Sequence, residues 1–331
     1  MEDNLMDIIA RIQQQRILVI GDMVADIYLD GRISRISREA PVLVLEQEKE
    51  KFVPGGAANV VHNVATLGGI VWAVGTVGFD EQGHGLRAAL EEKGVNTEGL
   101  IDDKNRLTIS KTRIIAGGAA TVSQQIVRID RETKDPLSET VEAAIEASLA
   151  TLLPKVSGVV LSDYGSGTIT KKLTRQIFAY CNAHDIPCII DSRYDLLSFV
   201  GAHYIKQNDA EAGKIVGFEI KNHETLLKAG AILLEKMQAK GILITQGSEG
   251  MTLFERNGAV HHIPVSNKSE VFDVSGAGDT AVATFILCLS AGVEPVFAAK
   301  LANFASGIAV RKLGTAAVTA NELKEWIGAN G

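Results

Sequence analysis

The residues best suited to chemistry lie together in Asp273-Val-Ser-Gly-Ala-Gly-Asp279-Thr280, which leads into an apolar helical stretch over 281–289. Gly276, Ala277 and Gly278 would open that helix. Their backbone N–H groups then have no partner within the helix, and little side chain keeps an anion away from them. Such a nest suits the negative charge that develops on a phosphoryl group in transfer. Asp279 follows at the helix start, where a carboxylate could accept the proton of an attacking hydroxyl. The plainer reading is a tight turn followed by an acidic residue that the helix dipole favours. A second glycine pair opens a helix at Pro54-Gly-Gly-Ala-Ala-Asn59. Gly55 and Gly56 would let a ligand lie against bare backbone, and Asn59 offers donors and an acceptor to hydroxyls. No Gly-Lys-Ser/Thr follows, and no G-x-G-x-x-G follows Ile20, so neither a P-loop nor a dinucleotide fingerprint is present.

The elements that must position these residues alternate along the chain. Apolar runs at 16–20, 71–75, 158–162, 187–191, 202–205 and 241–245 predict buried strands. Between them, 57–67, 83–93, 138–153, 170–184, 209–216 and 223–238 predict helices. Continuous apolar strands separated by helices imply an α/β fold, with a mostly parallel central sheet and helices on both faces. Two excursions, 26–48 and 108–130, instead alternate with period two, as where Ile109, Lys111 and Arg113 interleave with Thr108, Ser110 and Thr112. These predict antiparallel strands outside the central sheet, forming a small β-sheet lid over a site at the strand ends. One domain spanning 1–331 with such a lid is expected.

Bulk composition narrows the function classes. The chain has 331 residues, 46% hydrophobic and 22% charged, with 33 Lys+Arg against 40 Asp+Glu for a net charge of −7. An acidic chain without a basic run is a poor nucleic-acid binder. Its longest apolar run, 281–293, falls short of the roughly 20 residues that span a bilayer. The acidic start, Met-Glu-Asp-Asn, does not read as a secretory signal, so a cytoplasmic protein is expected. Cys181, His184 and Cys188 have a spacing open to zinc, but they straddle a helix end and a strand start and read as structural. Neighbouring His261 and His262 point to opposite faces of a strand. His62 reads as a packed or capping residue, and Trp72 and Trp326 as packing.

Taken together, the two glycine motifs make the chain similar to the ribokinase-like (phosphofructokinase-B) family of sugar kinases over nearly its whole length. The resemblance implies a ribokinase-like fold, ATP with Mg²⁺, Asp279 as base, and an anion hole over Gly276, Ala277 and Gly278. It implies that Asp26, and less firmly Asp22, grips sugar hydroxyls. It also implies that Asn208 and Glu211 order water and Mg²⁺ at the phosphates. Thr245, Gly247 and Gly250 would face the nucleotide, with Asn303 near the adenine. The loop around Asp273 and Gly314-Thr315 resembles segments that hold a monovalent cation, K⁺, in some members.

Within the family the likeness is greatest to kinases of heptose 7-phosphate in ADP-heptose synthesis. It is carried by Ser34-Arg-Ile-Ser-Arg-Glu-Ala-Pro41, Lys111-Thr-Arg113, Gln124-Gln125, Arg128-x-Asp130 and Ser162-Asp-Tyr-Gly165. Arg113 or Arg128 could then grip the sugar's phosphate in bidentate fashion. Either arginine could equally be a solvated lid charge. The chain departs from this subgroup at Asp191-Ser-Arg193, at Lys206-Gln207 and in an extended lid stretch over 117–123. Other acceptors therefore stay open (fructose, a pentose, a nucleoside, a hexose phosphate), as does a sugar- or nucleotide-binding regulator without catalysis. A homodimer and a stand-alone kinase, separate from any nucleotidyltransferase, are expected.

Overall fold

The computed structural model describes residues 5–117, 123–265 and 271–330, so most of the extended lid stretch lies outside the described residues. In chain order the strands are β1 (Arg16–Gly21), β2 (Met23–Ile36), β3 (Leu43–Gly56), β4 (Ile70–Gly78), β5 (Asn96–Asp103), β6 (Ile109–Gly117), β7 (Gln124–Arg131), β8 (Gly158–Asp163), β9 (Cys188–Ser192), β10 (Tyr204–Asn208), β11 (Gly241–Thr245), β12 (Met251–Glu255) and β13 (Val260–Ile263). The helices are α1 (Leu5–Ile12), α2 (Ala57–Thr66), α3 (Glu81–Glu91), α4 (Glu139–Leu152), α5 (Lys171–Ala183), α6 (Asp209–Val216), α7 (His223–Met237), α8 (Ala277–Ser290), α9 (Pro295–Ala309) and α10 (Ala320–Asn330).

Nine strands form the central sheet in the order β13-β12-β11-β10-β9-β8-β1-β4-β5. From β11 to β5 every neighbouring pair is parallel, and β12 and β13 add an antiparallel edge. Alternating side chains of one strand enter two separate cores. Ile17 and Val19 of β1 join α1, α2, α8, α9 and α10 on one face. Leu18 and Ile20 join α4, α5 and α7 on the other. A strand buried on both sides has no polar face to show, which is why the sequence reads there as unbroken apolar runs.

The two excursions meet in a separate four-stranded sheet, β3-β2-β6-β7. It comprises two antiparallel hairpins joined by a parallel seam between β2 and β6. The seam differs from the expected all-antiparallel pattern for a geometric reason. β2 begins two residues after β1 ends and β6 follows β5, so both leave the same edge of a parallel sheet in the same direction.

The glycine that ends β1 is fixed by close approach. A Cβ on Gly21 would lie 2.1 Å from the Ser162 carbonyl oxygen and 2.8 Å from the Ala57 side chain, so β1, β8 and α2 can converge only on glycine. Behind this junction Asn63 of α2 is fully buried and ties three segments. Its Nδ2 donates to the Asn59 carbonyl at 2.9 Å, while its Oδ1 accepts from Thr280 Oγ1 at 3.0 Å and from the Val318 amide at 3.2 Å.

The other histidines and cysteines are accounted for locally. His184 stacks on Tyr180 with centroids 4.0 Å apart, whereas Cys181 and Cys188 are buried. His262 meets Thr252 and His261 meets Glu255. Burial lowers the His62 pKa to about 4, so its ring is neutral at physiological pH. Trp72 donates to Glu98 at 2.8 Å, and Trp326 packs on the core under Arg311.

Replacing Asn63 by Ala would leave the buried Val318 amide without its acceptor and cut the tie to Thr280. It should destabilise the fold by about 3 kcal/mol, read as a lower urea midpoint at unchanged slope. An unchanged midpoint would show that Asn63 is not the tie between α2 and α8.

Candidate active site

The candidate residues gather at the carboxyl ends of the central strands. Gly276 adopts a left-handed conformation, φ 82°, and turns the chain into α8. Asp273 braces the approach, accepting from the Ser275 amide at 2.9 Å and the Gly314 amide at 3.0 Å. Asp279 lies in the first turn of α8 and is 4% exposed. Its Oδ2 accepts from Asn59 Nδ2 and its Oδ1 from the Tyr164 hydroxyl, both at 2.8 Å. The Tyr164 hydroxyl in turn accepts from Arg193 Nη2 at 3.1 Å, and the guanidinium lies 4.2 Å over its ring. Burial raises the Asp279 pKa above 3.8, and nearby Asp191 pushes in the same direction. The bonds from Asn59 and Tyr164 and the charge of Arg193 pull it back. The result is an ionisable base held in one orientation by two fixed donors.

Several expected residues take different parts. Asp22 is fully buried, and its carboxylate accepts from the backbone amides of Tyr164, Ser166 and Thr168 at 2.8–3.2 Å. Asp22, expected beside the sugar, thus holds the loop that carries Tyr164. Asn59, expected at the substrate, donates to Asp279. At Gly55 the room a side chain would need is taken by Asp26, whose Oδ2 would lie 2.6 Å from a Cβ there. Gly56 caps α2 at φ 54°, with Val24 similarly close.

Asp26 ties the smaller sheet to the segment before α10. Its Oδ1 accepts from Arg113 Nη1 at 2.7 Å and its Oδ2 from Thr315 Oγ1 at 3.0 Å. Arg113 and Arg128 are directly opposed in the β6–β7 register, so they project from the same face of the smaller sheet. Arg128 is solvent-exposed and holds Asp130 with two bonds, at 2.8 and 2.9 Å.

A cavity of about 540 Å³ opens beside α8 and gathers Thr245, Gly247, Gly250 and Asn303 with Ala277 and Gly278. Met251, Val265, Val271, Val274 and Val310 give it apolar walls. Those residues carry no motif; their only sequence signal is a scatter of aliphatics near glycines. Asn303 donates to the Pro264 carbonyl at 2.7 Å and so pins one wall. Asn208 and Glu211 close a capping box on α6. The Glu211 amide donates to Asn208 Oδ1 at 2.7 Å, and the Asn208 amide to Glu211 Oε2 at 2.9 Å. Tyr164 and Arg193 were not singled out as site residues. The only trace of Tyr164 was the stretch 162–165, quoted for its likeness alone.

An apolar slot, a glycine-rich helix start on its wall and a buried carboxylate beyond it together suit phosphoryl transfer from a nucleotide to a hydroxyl. Residues 14–322 match the family described as pfkB family carbohydrate kinase, and the chain belongs to that family. It is 43% identical to the Bifunctional protein HldE of Desulfatibacillum aliphaticivorans over 93% of this chain and 62% of that one. With the Bifunctional protein HldE of Geobacter sulfurreducens the identity is 39%, over 94% of this chain and 62% of that one. The chain thus spans less than two thirds of the length of these curated relatives. Among solved structures it is similar to phosphofructokinase-2 from Escherichia coli in complex with substrates and products, with TM-score 0.75, 19% identity, and 96% and 99% of the two chains covered. Arabidopsis thaliana ribokinase complexed with ribose and ATP gives TM-score 0.71 and 17% identity, with 95% and 99% covered. These structures show that the fold is ribokinase-like. The protein is an ATP-dependent carbohydrate kinase.

Only ionised Asp279 can accept a proton, so turnover should fall as pH drops through a pKa that burial has already raised. Replacing Tyr164 by Phe removes a bond that lowers that pKa. The acid limb of the rate profile should move to higher pH, and kcat should drop roughly tenfold, as for loss of one charged hydrogen bond. An acid limb that stays in place would show that Tyr164 does not tune the base.

Proposed function

We propose that the kinase phosphorylates the anomeric hydroxyl of D-glycero-β-D-manno-heptose 7-phosphate, giving the 1,7-bisphosphate used in ADP-heptose synthesis. The relatives named HldE and the stretches 34–41, 111–113 and 128–130 support this acceptor. The observation that carries the reaction is Asp279, buried at the α8 N-terminus and oriented by Asn59 and Tyr164.

In this reading the nucleotide's ring lies in the apolar cavity and its phosphates reach the Gly276, Ala277 and Gly278 amides. The sugar lies between that nest and the smaller sheet, with a hydroxyl on Asp26. A carboxylate can accept about four hydrogen bonds, so Asp26 can take a sugar hydroxyl without releasing Arg113 or Thr315. Arg113 and Arg128 face the sugar's own phosphate, which would exchange with Asp130 for the Arg128 fork. Asp279 takes the proton of the attacking hydroxyl, and the α8 amides stabilise the charge on the phosphoryl oxygens. The smaller sheet acts as a lid that excludes water, the competing acceptor.

Mg²⁺, when bound, would supply charge neutralisation at the phosphates. Glu211 and Asn208, at the head of α6, are the groups that would order that water. Asp273 and Gly314-Thr315, already bonded together or to Asp26, would frame a monovalent cation such as K⁺. No helix among the described residues is long and apolar enough to cross a membrane, and a cytoplasmic enzyme is the reading adopted. Val127 and Ile129 of β7, and Ile36, Val42 and Leu43 at the far end of the β2–β3 hairpin, are exposed apolar residues that favour a homodimer through the smaller sheet.

Two measurements test this. With Mg²⁺–ATP, ADP release should be fast with the heptose 7-phosphate and slow with fructose, ribose, nucleosides and hexose phosphates. Preference for another sugar would discard the acceptor and keep the mechanism. Replacing Asp279 by Asn should lower kcat by on the order of 10³-fold with ATP affinity retained, as for a group used chiefly in the transition state. Near-normal turnover would remove Asp279 as the base.

A further inference from the structure

Asp163 is a buried carboxylate that the mechanism above does not use. It ends β8 and faces Ser192, the last residue of β9, in the parallel register of the two strands. Its Oδ1 accepts from the Gly165 amide at 3.0 Å and its Oδ2 from the Ser192 hydroxyl at 2.6 Å. Gly165 lies in the loop that carries Tyr164, and Ser192 leads directly into Arg193. One side chain therefore holds both loops whose own side chains meet at Asp279, where the Tyr164 hydroxyl accepts from Arg193 and donates to the carboxylate. The Arg193 amide adds a bond to the Asp163 carbonyl at 3.3 Å. The loops also touch at Gly165, where φ is 77° and a Cβ would lie 2.7 Å from the Tyr194 ring. Asp22 takes the amides of residues 164, 166 and 168, but the tie to β9 comes from Asp163. A carboxylate is a costly way to fill this space. Burial raises its pKa above 3.8, Asp22 and Asp195 push the same way, and the bonds from Ser192 and Gly165 offset this only in part. What the charge supplies is an acceptor that takes donors from two loops at once. Ser192 and Arg193 fall within 191–193, where the chain departs from the subgroup that it resembles. Around Asp279, Asp191 opposes ionisation and is itself matched by Lys206, whose Nζ donates to it at 3.0 Å. Tyr164 and Arg193 favour ionisation, and both depend on the spacing of the two loops.

We propose that Asp163 and Ser192 are positioning residues, whose bond fixes the loop after β8 against the loop after β9 and so sets the Tyr164 hydroxyl on Asp279. Neither residue touches the substrate. They act through Tyr164, with Arg193 behind it, on the orientation and charge of the base. The proposal rests on Asp279 as that base, but not on which sugar is the acceptor.

A double-mutant cycle separates this role from one in stability alone. Ser192→Ala and Asp163→Asn are each made alone and together with Tyr164→Phe, and kcat is followed against pH with Mg²⁺–ATP and the best acceptor from the panel. Alone, each change should lower kcat about fivefold, as for loss of one hydrogen bond, and move the acid limb to higher pH as Tyr164→Phe does. The KM for ATP should stay within about twofold. In the Tyr164→Phe background the same changes should lower kcat by less than about twofold further, because the hydroxyl they position is gone. Ser192→Ala leaves both buried carboxylates in place, so it decides the outcome where Asp163→Asn does not fold. Equal losses in the two backgrounds, or a wild-type profile for Ser192→Ala, would overturn the proposal. Near-normal turnover of Asp279→Asn would remove the base, whereas an additive cycle beside an inactive Asp279→Asn would remove only the tie between the loops, so the two readings fail separately.

Discussion

In the proposed reaction Asp279 works only when ionised, yet it is buried, and the groups around it act to keep it charged and aimed. Burial favours its protonated form. Opposing that are Asn59 from the first turn of α2, Tyr164 from the loop after β8, Arg193 after β9, and the N-terminus of α8 itself. These groups are far apart in sequence. They meet because the strands from β11 to β5 run parallel, so that their carboxyl ends, and the loops that follow, fall on one edge.

The groups touching Asp279 are themselves held from behind. Asn63 bonds to Asn59 and to Thr280, tying the helix that carries one donor to the helix that carries the base. Asp22 collects three amides of the 164–168 loop and so fixes where the Tyr164 hydroxyl can lie. Both side chains are fully buried, and a buried polar group without partners costs about 1–3 kcal/mol. Their bonds therefore do two things at once: they satisfy the interior and they set the geometry of the site.

The same physics explains what could be read from the sequence. β11 was expected at 241–245 and α6 at 209–216, and both fall there. The strand is apolar on both faces, and α6 carries its own boundaries in the Asn208 cap and the left-handed Gly217. β5, with the polar sequence NTEGLIDD at the sheet edge, has no such pattern and was not foreseen. The parallel seam of β2 and β6 depends on contacts between residues about 85 apart in the chain, which no local period encodes. At the head of α8, the glycine-rich turn was legible because Gly276 takes a left-handed φ that favours glycine. The loop-bracing part of Asp22 was not legible, because its three amide partners lie about 140 residues away in the chain. Lys206 was visible as an oddity before Asn208, but a lysine on an apolar strand gives no sign of the Asp191 facing it across the sheet.

Asp26 shows how the site is made ready in advance. It could have been an exposed carboxylate waiting for a sugar, which would leave its orientation to water. Instead it is 3% exposed and held by Arg113 from the smaller sheet and Thr315 from the segment before α10. The carboxylate thus links three parts of the chain before any ligand arrives, and its orientation is set by those links. Asp279 follows the same rule with Asn59 and Tyr164. Both carboxylates have their partners in place at the outset, so little reorganisation remains to be done at the moment of transfer, which is the condition under which fixed dipoles stabilise a developing charge most.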